Sequence, residues 1–194
     1  MNKNIFLAFL SGIFLLAVAC NQPAKQSETE APATAVVPNS NQKSMDYHDK
    51  LMSSFNPNWE TEEPATTDYP AYYGGSFIDN DGKFVVCVVG DPAQHRSTIA
   101  KIIGSDDFLM EKCTYSYRQM MEVMDKIDAF LSNASVDSEH PFLTYFAGAG
   151  ADVFDNRVVV QLTEVNDAAV QAFKKDISNS PVVVFEQGDM PVLH

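Results

Sequence analysis

Among its 194 residues, the side chains that could do chemistry are three cysteines, four histidines and a surplus of carboxylates. His48, His95, His140 and His194 contain no pair at four-residue or HExxH spacing, so no zinc site is signalled and each reads as an ordinary surface residue. The run Asp79-Asn80-Asp81-Gly82 opens like an EF-hand loop, but Gly90 stands where such a loop needs its bidentate Glu, so the run reads as a hairpin turn. No Ser lies in a nucleophile-elbow context, no Gly-rich loop ends in GK[ST], and no carboxylates form a recognisable acid/base pair. The expectation is a protein with no catalytic residue, no metal and no cofactor. Cys87 and Cys113 leave three alternatives open: a disulfide, a pair of buried free thiols, or a redox-active thiol. The third has no CxxC motif behind it, and Lys112 alone is nearby to depress a thiol pKa.

Charge narrows the partners. Thirteen basic against 26 acidic side chains give a net charge of −13, and no short stretch gathers a basic patch. Such a field repels nucleic acid, which is therefore not expected as a partner.

At the front, Lys3 precedes an apolar run over residues 5–19, shorter than the roughly 20 residues that span a bilayer and suited to a secretory h-region. The run ends in Ala17-Val18-Ala19-Cys20. Small residues before a Cys resemble the lipobox of bacterial lipoprotein signal peptides. That resemblance implies a signal peptide over residues 1–19, cleavage before Cys20, acylation of Cys20 and a lipid bilayer as partner. With two or three acyl chains the anchor would be stable. Asn21 follows Cys20 in place of an Asp, which by the same resemblance implies the outer membrane. Residues 21–42 are rich in Ala, Pro, Ser, Thr and Gln without hydrophobic period, so they read as a disordered tether spanning about 26 Å.

The elements that would position any site come from a repeat. Residues 74–91 (GGSFIDNDGKFVVCVVGD) lie over 148–165 (GAGADVFDNRVVVQLTEV) at an ungapped shift that places Gly74 on Gly148, Gly82 on Asn156 and Phe84, Val86 and Val88 on Val158, Val160 and Leu162. Each copy reads as a hairpin, a helix and a closing strand. The first helix has Asp91 as N-cap, Pro92 at its first position and Gly104 as stop; the second has Asn166 as cap and Val170, Phe173 and Ile177 as its stripe. The closing strands read as 108–115 and 181–187. Between the copies, Ser116 and Gln119 have capping-box spacing, and Tyr117, Met120, Met121, Met124, Ile127 and Leu131 form one apolar face, read as core. A helix over 44–55 and a Pro-bounded loop over 57–70, with Trp59 as a packing lid, come first; together residues 43–72 form the N-terminal section.

The fold class is thus α+β: two ββαβ repeats over 73–116 and 145–189 within a 73–194 domain, with antiparallel sheets whose helices cover one face. The face carrying Phe84, Val86 and Val88 should meet the helices, and the face carrying Val85, Cys87 and Val89 should be partly wet.

The run from Tyr73 through Gly74, Gly75, Phe77 and Asp79 to Gly82, Lys83, Phe84, Val85 and Val86 resembles the first hairpin of prodomain-like modules that accompany secreted serine proteases of the α-lytic protease and streptogrisin type. Asn156, Arg157, Val158, Val159 and Val160 are similar to their second hairpin. In that family the prodomain is a folding catalyst and tight inhibitor of its own enzyme, with the C-terminal tail in the active-site cleft. The expectation here is a module with no protease domain following it. What the resemblance implies is a binding surface made of the final sheet and the tail Gln187, Gly188, Asp189, Met190, Pro191, Val192, Leu193 and His194, with a serine protease as partner. The expectation is a membrane-anchored, non-enzymatic interaction module; the alternative is an accessory lipoprotein handling a small molecule or glycan, or a hydrolase without recognisable motif.

Overall fold

The computed structural model describes residues 40–62 and 64–189. The lipobox, Cys20 and most of the tether lie outside them, as do Met190, Pro191, Val192, Leu193 and His194 of the tail.

The hairpins form where the alternation places them. Strand β1 (Tyr73–Ile78) pairs antiparallel with β2 (Phe84–Val89), and β4 (Phe146–Asp152) with β5 (Arg157–Leu162). Each turn places one residue in the left-handed region, Gly82 at φ 76° and Asn156 at φ 53°. Helix α2 (Pro92–Ile103) starts on Asp91, whose side chain accepts from the Ala93 N–H, and stops at Gly104 with φ 74°. Helix α5 (Asp167–Asp176) is capped by Asn166 in the same way. Helix α3 (Tyr117–Leu131) begins with the Ser116–Gln119 capping box.

The closing strands correct the expected antiparallel sheets. Strand β3 (Leu109–Cys113) runs parallel to β2, and β6 (Val183–Gln187) parallel to β5. A helix is the reason: the 12 residues of α2 carry the chain about 18 Å back along the sheet, so the next strand starts where β2 started. The result is two separate three-stranded mixed sheets, ordered β1-β2-β3 and β4-β5-β6.

The repeat is offset by one residue on its first strand. Gly75 stands opposite Cys87 and Gly148 opposite Gln161, so Gly148 is the counterpart of Gly75 rather than of Gly74. The second turn is one residue longer, and the ungapped overlay holds from Phe84 and Val158 onward.

Phe84, Val86, Val88, Val158, Val160 and Leu162 are all buried against helices, each contributing about 2 kcal/mol of burial. Helix α1 (Ser40–Phe55), starting four residues before the expected position, covers the first sheet with α2; Leu51 and Met52 enter the core, and Trp59 packs over it. Ser44 Oγ pins α1 to the first turn by donating to the Gly82 carbonyl at 2.6 Å, and Asp107 bridges Lys43 and Lys83. Helix α4 (Pro141–Tyr145), which no pattern signalled, adds Phe142 to the second core. Helix α3 lies between the cores: Met120, Val123 and Ile127 enter the second, Met121 packs on the first and Tyr117 touches both. Leu131, expected on that buried face, ends the helix exposed. Among the described residues no helix is long and apolar enough to cross a membrane.

Candidate functional site

The outer faces of the two sheets are chemically different. On the second sheet the expected partial wetting holds, with Val159 half-buried and Gln161 exposed. On the first sheet it holds at Val89, which is half-buried, but not at the other two: Val85 is 1 % exposed and Cys87 5 %. The cover comes from the second hairpin's turn, which reaches across the repeat boundary. Gly75 has φ 118°, and a Cβ there would lie 2.4 Å from Val153 Cγ1, so Val153 sits directly on bare backbone. Phe154 stacks obliquely on Phe77, ring centroids 4.4 Å apart.

Asn156 locks this turn in place. Its Oδ1 accepts from the Thr114 N–H at 2.9 Å and the Tyr115 N–H at 2.7 Å, while its Nδ2 donates to the Tyr115 carbonyl at 2.8 Å. Sequence reasoning identified Asn156 as a turn residue and missed the clasp, because positive φ was the only signal the residue carried.

The two cysteines lie on this covered face, both as free thiols, Cys87 buried and Cys113 half-buried. Cys87 faces Glu111 across the ladder and Cys113 is two residues further along β3. Cys113 Sγ lies close above Gly74, 2.1 Å from where a Cβ would stand, and donates weakly to the Tyr115 carbonyl at 3.4 Å. Burial, with the Cys113 thiol and Glu111 nearby, pushes the Cys87 thiol up to about 12; burial also raises Cys113. A raised pKa leaves little thiolate at neutral pH, which argues against a redox-active role. Alkylation with iodoacetamide at pH 8 is therefore expected to modify Cys113 slowly and to spare Cys87 until denaturant is added, with the Cys113 rate rising as pH increases toward its pKa. Fast labelling of Cys87 in the native chain, followed by mass spectrometry, would contradict this burial.

Three of the four histidines have structural work, and His194 lies outside the described residues. His48 packs against Trp59 and Phe84, and burial lowers its pKa. His95 stacks on Tyr72. His140 caps α4 by accepting from the Phe142 N–H at 3.3 Å and meets Asp176 at 3.2 Å, holding that carboxyl below its ordinary value. In the Asp79 turn, the Asp79 carboxylate accepts from the Asp81 and Lys83 N–H groups. Among the described residues no three His, Cys, Asp or Glu side chains gather where a metal could sit.

A shallow open trough of about 800 Å³ lies on the second sheet. Its floor is Gly148, Gly150, Val159 and Gln161, its far side Glu186, and its near wall Ser76, Phe77 and Phe154. Strand β6 is the outer strand on the far side. Beyond it, Gly188 donates to the Leu162 carbonyl at 2.9 Å and lies against Gln161. Of the tail, then, Gln187, Gly188 and Asp189 are placed at the rim of this face.

Comparison with known families divides the chain at the crossover that Asn156 grips. Residues 25–113, ending with β3, match the model of the Pro-like N-terminal domain. Residues 118–188 match that of the Pro-like C-terminal domain, so α3 falls inside the second match. No curated protein matches the chain. The two ββαβ halves thus carry a Pro-like N-terminal domain followed by a Pro-like C-terminal domain.

Proposed function

We propose that this chain is a non-enzymatic binding module, held on the outer membrane of a bacterial envelope through an acylated Cys20 followed by Asn21, and that it binds and inhibits a serine protease. The observation that carries the reading is the pair of Pro-like matches together with an open sheet face on the second half. That face lies beside β6 and the start of the tail, the surface that the family resemblance assigns to an enzyme partner. Its floor is largely backbone and small side chains, suited to another protein's backbone more than to a small molecule held by convergent polar groups.

The test is a titration of the full chain into chymotrypsin-like and subtilisin-like serine proteases, following residual activity and the integrity of the chain. Tight inhibition, lost on deleting the tail after Gln187, is the expected outcome; digestion or indifference across the panel overturns the inhibitor role. In the producing cell, Cys20→Ser is expected to move the protein from the membrane fraction to the soluble one, since the acyl chains supply the anchoring.

A further inference from the structure

We infer that the trough on the second sheet seats an apolar β-hairpin tip of a partner protein, flanked by a Lys or Arg, as the first sheet seats Val153 and Phe154. The inference rests on the binding reading above and names the partner's shape and chemistry.

The internal repeat supplies the template. The same ββαβ unit presents the same outer face twice, and on the first copy the occupant is present: Val153 covers Gly75, Phe154 covers Phe77, and Val85 and Cys87 are buried beneath. Among the described residues, the counterpart positions on the second copy are bare: a Cβ on Gly150 would meet nothing within 4 Å, and one on Gly148 would meet Gln161 Oε1 alone, at 3.6 Å. Phe154 stands beside the trough with 70 % of its surface exposed. Exposed aromatic and β-branched area next to bare backbone gains from being covered.

Two further observations choose the occupant. The charged residues lining the trough are Asp152 and Glu186, both acidic, in a chain of net charge −13, so a basic flank on the partner complements it. Among the described residues, a second copy of this chain has no free apolar hairpin tip to offer. Its second turn is seated on its own first sheet, and its first turn is the polar Asp79–Gly82 stretch whose Gly82 carbonyl is held by Ser44.

The probe is a backbone-cyclised peptide built on this chain's own tip sequence, residues 150–159 (GADVFDNRVV), with both Asp replaced by Asn so that Arg is its one charge, carrying an uncharged fluorophore, titrated into the full chain and followed by anisotropy. Saturable binding is expected, weakened about tenfold or more by Gly150→Trp, whose side chain has room to fill the trough, and abolished when the peptide's Val and Phe are replaced by Ser. Glu186→Lys, an exposed change that leaves the fold alone, is expected to weaken binding of this Arg-bearing peptide and to serve if Gly150→Trp does not fold. Absence of saturable binding, or binding indifferent to both variants, overturns the inference. So does a chain that sediments as a dimer and becomes monomeric on Gly150→Trp, which would give the trough to a second copy. The protease panel is read separately: peptide binding without inhibition sinks the protease reading alone, and inhibition untouched by Gly150→Trp sinks the trough alone.

Discussion

Asn156→Ala is expected to destabilise the protein by about 2–4 kcal/mol, far more than a turn substitution on an exposed hairpin ordinarily costs. Three hydrogen bonds disappear together, and the half-buried Tyr115 loses the partner of its N–H and keeps only the weak Cys113 thiol at its carbonyl. Each of these partly exposed bonds contributes about 0.5 kcal/mol net. Alanine at φ 53° adds about 1–2 kcal/mol of left-handed strain. Asn156→Gly separates the two causes, since it removes the bonds and relieves the backbone; it should be milder than alanine by about 1 kcal/mol. Urea denaturation measures both. The substitution should also loosen the turn from the first sheet, so Cys87 is expected to become reactive toward iodoacetamide in the folded variant. An Asn156→Ala protein with unchanged stability and a still-protected Cys87 would show that the clasp does not hold the halves together.

Much of the fold was legible because it is written in local chemistry. Asp91-Pro92 opens α2 and Gly104 closes it, Asn166 caps α5, and Ser116 with Gln119 starts α3. Alternation assigned Phe84, Val86 and Val88, and their second-half equivalents, to the core. Alternation has no direction, however, so a closing strand reads the same whether parallel or antiparallel; the length of the intervening helix decided it. Leu131 matched the spacing of its helix face but lies at the end of α3, where the spacing no longer meets a core.

The candidate site was less legible. The overlay paired Gly74 with Gly148, whereas the register pairs Gly75 with Gly148, because one extra turn residue shifts β4 against β5 without disturbing the hydrophobic pattern. The face expected to be partly wet on the first sheet is dry at Val85 and Cys87 because Val153 and Phe154, far along the chain, descend on it. No period links residues so separated; the signal is the absence of a side chain at Gly75, which a sequence displays without saying what occupies the space.

That absence gives the largest expected effect. Gly75→Ala is expected to cost about 3–5 kcal/mol, by two separable routes. At φ 118° an L side chain stores on the order of 1–3 kcal/mol of backbone strain. The new Cβ would also lie 2.4 Å from Val153 Cγ1 and 3.0 Å from Cγ2, and Val153 is the atom group seated on the sheet, so it cannot swing away without lifting the turn. Adding Val153→Ala should recover the steric part and leave the backbone part, giving a favourable coupling of about 1–2 kcal/mol in a double-mutant cycle. Gly150→Ala is the matched control: its backbone is outside the left-handed region and its Cβ meets nothing within 4 Å among the described residues, so stability should stay within about 0.5 kcal/mol. The contrast between the two glycines is what the covered and the open face predict. Equal effects at Gly75 and Gly150 would mean that the second turn does not rest on the first sheet, and the template for an occupant of the second trough would fall with it.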